Sequence, residues 1–143
     1  MIKQAIIPQR TANDYSILKR HLFPGLISGL IAASVNSSFY LLAQTQGGLL
    51  INAGQTVESI SLASILAFSF FPATLAAGLY WILVRFTGNP KIIFLTIAAM
   101  VYLGFFFGPI SVATNRITLW TLELMHLTAA LTILTGLLRV KGS

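Results

Sequence analysis

Four polar side chains that can do chemistry lie inside stretches that are otherwise apolar. They are Asn36 and Tyr40 in the first such stretch and Glu123 and His126 in the last. A titratable group at membrane depth is costly, and it usually faces a partner or a cavity rather than lipid. His126 can titrate or hydrogen-bond a ligand, Glu123 can orient it or carry a proton, and Asn36 offers both a donor and an acceptor. These four residues form the candidate site.

The composition of the chain indicates an integral membrane protein. Of its 143 residues, 56% are hydrophobic and only 8% are charged, whereas soluble domains carry about a quarter charged residues. No cysteine is present, which excludes disulfides, thiolate metal ligands and cysteine nucleophiles. The formal charge of +6 does not indicate a nucleic-acid partner, because the cations lie at the ends of apolar stretches, where anionic lipid headgroups are their natural contact.

Four apolar stretches are long enough to cross a bilayer. They cover about residues 23–46, 59–86, 91–110 and 117–138, and residues 1–22 precede them as a cytoplasmic or interfacial segment. Residues 1–143 are therefore predicted to form a single membrane domain. Its expected fold class is all-α, a bundle of four transmembrane helices joined by short turns.

Local features refine this outline. Pro72 lies in the middle of the second stretch and predicts a helix kink. Residues 46–57 contain glycines and predict a loop, so that Glu58 would stand in the first turn of the next helix, where a negative charge suits the helix dipole. Small residues recur every four positions in the first two stretches, at Gly25, Gly29, Ala33 and Ser37 and at Ser69, Ala73 and Ala77. Such stripes let another helix approach closely.

The basic residues predict the orientation of the chain. Of the nine Lys and Arg, all but Arg116 flank the N-terminal segment, the connection between the second and third stretches, or the C-terminal tail. Segments rich in Lys and Arg stay on the cytoplasmic side. Both termini are therefore predicted to be cytoplasmic, in a multi-pass protein of the cell membrane whose cytoplasmic face contacts anionic headgroups.

The polar residues are expected to share one layer of the bundle. At 1.5 Å per residue, Asn36 and His126 lie roughly 18–20 Å from the cytoplasmic ends of their helices, and Glu123 roughly 22 Å. Three interpretations of this layer remain open. The residues hydrogen-bond one another and fix the packing, or Glu123 and His126 form a protonatable element in a ligand-binding or transport cavity. In the third, His126 ligates a metal, haem or pigment, although a single histidine makes a poor closed metal site.

The sequence does not indicate an enzyme. Glu123 and His126 form one Glu-x-x-His motif, whereas di-iron bundles need two such motifs and further carboxylates. The chain has only three acidic residues. Its many hydroxyl side chains include no nucleophile-elbow motif and no recognisable triad. The sequence identifies no metal site, and it leaves any cofactor unknown.

Residues spread over most of residues 22–138 match a pattern found in other membrane proteins. They are Asn36, Tyr40, Arg85, Asn89, Pro90, Gly108, Pro109, Met125, His126, Leu127, Ala129 and Ala130. In these positions the chain resembles a family of small, uncharacterised bacterial membrane proteins with four spans. The resemblance implies four spans in the bacterial inner membrane and no established activity, and it includes Asn36 and His126 but not Glu123.

One function is favoured, and an alternative of a different class is kept. The favoured function is that of a small integral membrane protein that binds or transports a small ligand or a proton at an intramembrane polar site. The alternative is a structural or accessory subunit of a membrane complex without a small-molecule site, which the small-residue stripes suggest. One chain of this size leaves little room for a conduction path, so assembly as a homo-oligomer stays open.

Overall fold

The structure, a computed structural model, describes the backbone of residues 10–139 and the side chains of residues 19, 20 and 22–139. In chain order the elements are α1 Arg10–Gln44, β1 Leu50–Ala53, β2 Thr56–Ser59, α2 Leu62–Phe86, α3 Pro90–Val112 and α4 Arg116–Leu138. All four helices are long and apolar enough to cross a membrane, α1 through its Leu22–Gln44 part. The predicted fold class, an all-α bundle of four helices that can span a membrane, is confirmed.

The predicted segment 1–22 lies partly outside the described residues, which begin at residue 10. From Arg10 onward this segment is helical and continues without a break into the first candidate span. It is therefore the first part of α1 rather than a separate helix.

Side chains and a proline set the points at which three of the helices begin. The hydroxyl of Ser61 accepts a 3.1 Å hydrogen bond from the backbone N–H of Ser64 at the start of α2. The side chain of Asn115 accepts a 2.8 Å bond from the N–H of Thr118 at the start of α4. Pro90 opens α3, where its missing N–H has no intrahelical partner to lose. Such caps satisfy backbone groups that a helix terminus leaves unpaired.

The segment before α2 is a β-hairpin, so the prediction of a loop was wrong. β1 and β2 are antiparallel, and Ile51 pairs with Glu58. Gly54 has a φ of +74° and is the first residue of the two-residue turn, the pattern of a type II′ hairpin. Glu58 consequently lies in β2, where Thr56 donates a 3.4 Å hydrogen bond to it, and not in the first turn of α2.

The hairpin is attached to the connection between α3 and α4. The N–H of Leu50 donates a 3.1 Å hydrogen bond to the hydroxyl of Thr118, and its carbonyl accepts a 3.2 Å bond from the N–H of Thr114. A single β-bridge joins Ile51 to Ala113. We call this end of the bundle the hairpin end, and the opposite end, with the connection between α2 and α3, the turn end.

α1 packs mainly against α2 and α4, and glycines bring it close to α2. A Cβ atom placed on Gly29 would lie 3.0 Å from the Cβ of Ala73, and one placed on Gly25 would collide with the Cβ of Ala77. The two small-residue stripes therefore pack against each other inside the chain. Pro72, beside the α2 stripe, lies within α2, and its predicted kink stays a prediction.

α4 approaches α1 on another side. A Cβ atom on Gly136 would collide with the hydroxyl of Ser28, so this contact also depends on a glycine. Two apolar clusters fill the bundle. The first lies toward the turn end and contains Ala73, Ala77, Tyr80, Leu83, Phe94, Ile133 and Leu137. The second lies toward the hairpin end and contains Ala43, Leu49, Ile65 and Met125.

Candidate functional site

Asn36 joins three helices at the level between the two apolar clusters. Its side chain is 3% exposed. The amide nitrogen donates a 2.9 Å hydrogen bond to the hydroxyl of Ser69 on α2 and a 3.3 Å bond to the carbonyl of Met125 on α4. Met125 is next to His126 in α4, so Asn36 and His126 lie at a similar depth in the bundle, as the sequence predicts. Asn36 thus holds α1, α2 and α4 together.

Ser69 belongs to this junction, although the sequence does not predict it there. In the sequence Ser69 stands out only as a small residue in a repeat with Ala73 and Ala77. The available signal was its hydroxyl group, since a serine in a small-residue stripe can both permit close approach and hydrogen-bond across the interface.

Asn36 still has one polar atom without a partner. Its side-chain oxygen Oδ1 is buried and accepts no hydrogen bond from any residue that the structure describes. The amide therefore uses its donor for packing and leaves its acceptor available.

Glu123 is the most unusual buried group of the described residues. It is 9% exposed, and neither Oε1 nor Oε2 has a hydrogen-bond partner among residues 10–139. A carboxylate accepts hydrogen bonds only, and burying one without a compensating donor or cation is strongly unfavourable. Glu123 therefore requires a proton, or a hydrogen-bond donor or cation from outside residues 10–139.

His126 has a defined ring orientation. Its Nδ1 lies 2.7 Å from the carbonyl oxygen of Leu122. Because a carbonyl only accepts, Nδ1 carries the hydrogen, and Nε2 is the acceptor of the neutral ring. The ring stacks on Phe105 of α3, with centroids 6.3 Å apart and planes at 27°. His126 therefore lies where α4 meets α3.

The structure divides the predicted polar layer into two parts. Glu123 and His126 share a face of α4, since residues three apart are neighbours on a helix. Met125 projects from α4 about 200° away from Glu123, so Asn36 meets α4 on another side. None of Asn36, Glu123 and His126 is hydrogen-bonded to another among the described side chains. They are not a hydrogen-bonded triad.

Tyr40 lies nearer to the hairpin end. It is half-buried and packs against the apolar cluster that contains Ala43, Leu49 and Met125. Through Met125 this cluster is adjacent to the Asn36 junction. Tyr40 therefore lies in an apolar wall beside the polar groups.

Comparison with known proteins gives a family but no activity. The model of a family described as Family of unknown function (DUF6069) matches residues 17–143. The chain belongs to this family. No curated protein and no solved structure matches the chain. The DUF6069 match is consistent with the resemblance to a family without established activity, and it includes all four candidate spans.

The residues of the site indicate its chemistry. Within residues 10–139 there is no group of three or more His, Cys, Asp and Glu side chains that could hold a metal ion. What the site offers is a carboxylate and an imidazole nitrogen, both hydrogen-bond acceptors, on one face of α4, which contacts α3 at His126. Such groups bind a proton, a cation or a hydrogen-bond donor.

Proposed function

We propose that the protein binds or transports a small ligand or a proton at an intramembrane site centred on Glu123 and His126. The observation that carries the proposal is that both oxygens of Glu123 are buried without a hydrogen-bond partner among the described residues. In a membrane such a group is stable when it holds a proton or the donor of a ligand. Asn36 and Tyr40 lie on another side of α4 and would act on this site indirectly, with Asn36 holding α1 and α2 against α4.

The packing inside the chain weighs against the accessory-subunit alternative. That alternative was suggested by the small-residue stripes, which could dock another protein. Gly25 and Gly29 pack against Ala77 and Ala73 of the same chain, so these faces are occupied within the bundle. We therefore favour the ligand or proton site.

We further propose that both termini face the cytoplasm of a bacterial cell and that the chain lies in the inner membrane, as a homo-oligomer or within a larger complex. Exposed cations at the turn end support this orientation, namely Lys19, Arg20, Arg85, Lys91 and Arg139, whereas Arg116 lies at the hairpin end. The guanidinium carbon of Arg85 is 5.9 Å from the centroid of the Trp81 ring, an arrangement typical of the membrane interface, where the cations would contact anionic headgroups.

Dicyclohexylcarbodiimide tests the site without knowledge of the ligand. This apolar reagent couples to protonated carboxyl groups in apolar surroundings, and with only three acidic residues in the chain the adduct is readily assigned by mass spectrometry. We expect an adduct at Glu123 in the protein reconstituted in vesicles. Glu123→Gln abolishes it, whereas Glu58→Gln, on the exposed hairpin, leaves it unchanged.

Proton movement is the second measurement. In vesicles that contain a pH-sensitive dye, the dye reports the rate at which the internal pH changes. If protons pass through Glu123, Glu123→Gln alters this rate and Glu58→Gln does not. A Glu123 that reacts with the carbodiimide only after denaturation would contradict the proposed function.

A further inference from the structure

The Glu123–His126 site presents acceptors to its ligand. Both carboxylate oxygens of Glu123 lack a partner among the described residues. The Nδ1–H of His126 is used on the carbonyl of Leu122, which leaves Nε2 as an acceptor in the neutral ring. Two oxygens and one nitrogen match the three N–H donors of a primary ammonium group. An anionic ligand would meet repulsion here.

Among the described residues, no Lys or Arg lies at the depth of Glu123, and the titratable neighbour there is His126. In the sequence of α4, the basic residue on the N-terminal side of Glu123 is Arg116, which is exposed and lies about 10 Å away along the helix axis. Lys91 and Arg85 lie at the opposite, turn end. Because a buried carboxylate needs compensation, Glu123 holds a proton while the site is empty, and a cationic ligand replaces that proton when it binds.

The seam between α3 and α4 is weakly packed at the level of the site. Phe94 and Pro109 are the only buried residues among the 23 of α3, all of which are described. Phe94 is held near the turn end by the Tyr80 ring, at a centroid distance of 5.0 Å. Between these two anchors, Phe105 stacks on His126 while its own side chain is 60% exposed. The seam is thus covered at His126 by a surface ring.

Aromatic rings beside the seam suit a cation with an apolar body. Tyr102 and Phe106 lie one turn apart on α3, with ring centroids 6.5 Å from each other, and Phe105 is next to them in sequence. Aromatic faces attract ammonium groups, and the attraction grows when water is absent. An exposed ring such as Phe105 also changes rotamer rapidly, so it can move aside for a molecule that arrives from lipid.

We propose that the ligand of this site is an ammonium cation with an apolar body, and that it enters from the bilayer through the α3–α4 seam at Phe105. This inference rests on the proposed function and adds to it the chemical class of the ligand and its path. A proton alone, or an anion, is the competing outcome of the experiment.

Protection from carbodiimide labelling tests the ligand class. The probe is 2-phenylethylammonium, with 3-phenylpropionate as an anion of similar size and 2-phenylethanol as a neutral control. At a probe concentration ten times its Kd, we expect labelling of Glu123 in vesicles to slow about tenfold, because only the unoccupied fraction reacts. The anion and the alcohol are expected to give no protection.

The path is tested by a matched pair of variants. Phe105→Ala removes the ring over His126 and is expected to speed both the labelling of Glu123 and its protection by 2-phenylethylammonium. Phe107→Ala removes a ring that is 66% exposed and that contacts Phe106, so both rates should stay at the wild-type value. Equal acceleration by the two variants would overturn the path through Phe105.

The outcomes separate this inference from the function on which it rests. Labelling of Glu123 without protection by the ammonium probe overturns the ligand class and leaves a proton site. Protection by 3-phenylpropionate overturns the acceptor argument. Absence of Glu123 labelling in the folded protein overturns the proposed function itself.

Discussion

The amide nitrogen of Asn36 donates a 2.9 Å hydrogen bond to the hydroxyl of Ser69, across the interface of α1 and α2. The same nitrogen reaches the carbonyl of Met125 on α4, so one side chain connects three helices. Hydrogen bonds between membrane helices contribute about 0.6 kcal/mol on average and at most about 1.7. The junction therefore contributes modestly to stability, and its larger effect is to fix how the three helices are rotated and aligned.

A double-mutant cycle should detect the Asn36–Ser69 bond. Asn36→Ala and Ser69→Ala are expected to couple by about 0.5–1.7 kcal/mol, because each removes one partner of the same hydrogen bond. Unfolding in mixed micelles measures the coupling. Ser34→Ala is the control, since the Ser34 hydroxyl is exposed and bonds only the carbonyl of Leu30 in its own helix. If the coupling energy between Asn36 and Ser69 is no larger than that between Asn36 and Ser34, the junction is contradicted.

Two glycine substitutions are expected to have opposite effects. Gly25→Ala places a Cβ against the Cβ of Ala77 and should lower the free energy of unfolding by about 1–3 kcal/mol, because overpacking forces α1 and α2 apart. Gly104→Ala places its Cβ in open space. It should be neutral or stabilising by up to about 1 kcal/mol, since alanine is the better helix former. Thermal unfolding in mild detergent compares the two, and equal losses would contradict the close approach.

Replacement of Glu123 should not weaken the fold. Its carboxylate has no donor among the described residues, so Glu123→Gln removes a poorly compensated group. We expect the free energy of unfolding to stay the same or to rise by up to about 3 kcal/mol. Glu58→Gln, on the exposed hairpin, should change it by no more than about 0.5 kcal/mol. A clear loss of stability in Glu123→Gln alone would indicate a structural partner for Glu123.

The orientation can be measured because the chain has no cysteine of its own. Gln55→Cys labels the exposed hairpin turn, and Gly88→Cys labels the exposed connection between α2 and α3. In intact cells, a membrane-impermeant maleimide should react with Gln55→Cys and should reach Gly88→Cys only after lysis. The reverse pattern would place both termini outside the cytoplasm.

The attachment of the hairpin depends on a buried hydroxyl. Thr118 is 0% exposed, and its side chain accepts the N–H of Leu50. Thr118→Val keeps the shape and removes the acceptor. The amide of Leu50 should then exchange with deuterium roughly fivefold faster, which corresponds to ~1 kcal/mol. Thr96→Val is the control, because its exposed hydroxyl bonds only Ile92 of its own helix. An unchanged exchange rate of the Leu50 amide would show that other contacts hold the hairpin.

The hairpin has a local signal in the sequence that the prediction of a loop missed. The pair Gly54-Gln55 stands between the four-residue segments LINA and TVES, and Gly at the first position of a two-residue connection is a signal for a type II′ turn. The glycines by themselves predict a loop and place Glu58 in α2, whereas the structure has a hairpin with Glu58 in β2. The register, which pairs Ile51 with Glu58, is known only from the structure, because strand pairing joins residues that local composition does not connect.

The small-residue stripes show a different kind of limit. Their four-residue spacing predicts correctly that some helix comes close. The spacing does not say which helix, because a stripe on α1 and a stripe on α2 fit each other as well as they fit a partner protein. Only the contacts of Gly25 with Ala77 and of Gly29 with Ala73 decide that the approach occurs within the chain.

The sequence by itself determined that the chain forms four apolar helices with Asn36, Glu123 and His126 at similar depth. These properties are local, since hydropathy and depth depend only on composition and position along each helix. The tertiary structure decided that Asn36 bonds Ser69 and Met125 while Glu123 and His126 lie on another face of α4. That division depends on how each helix is rotated about its axis, and rotation is set by the packing of side chains that lie far apart in the sequence.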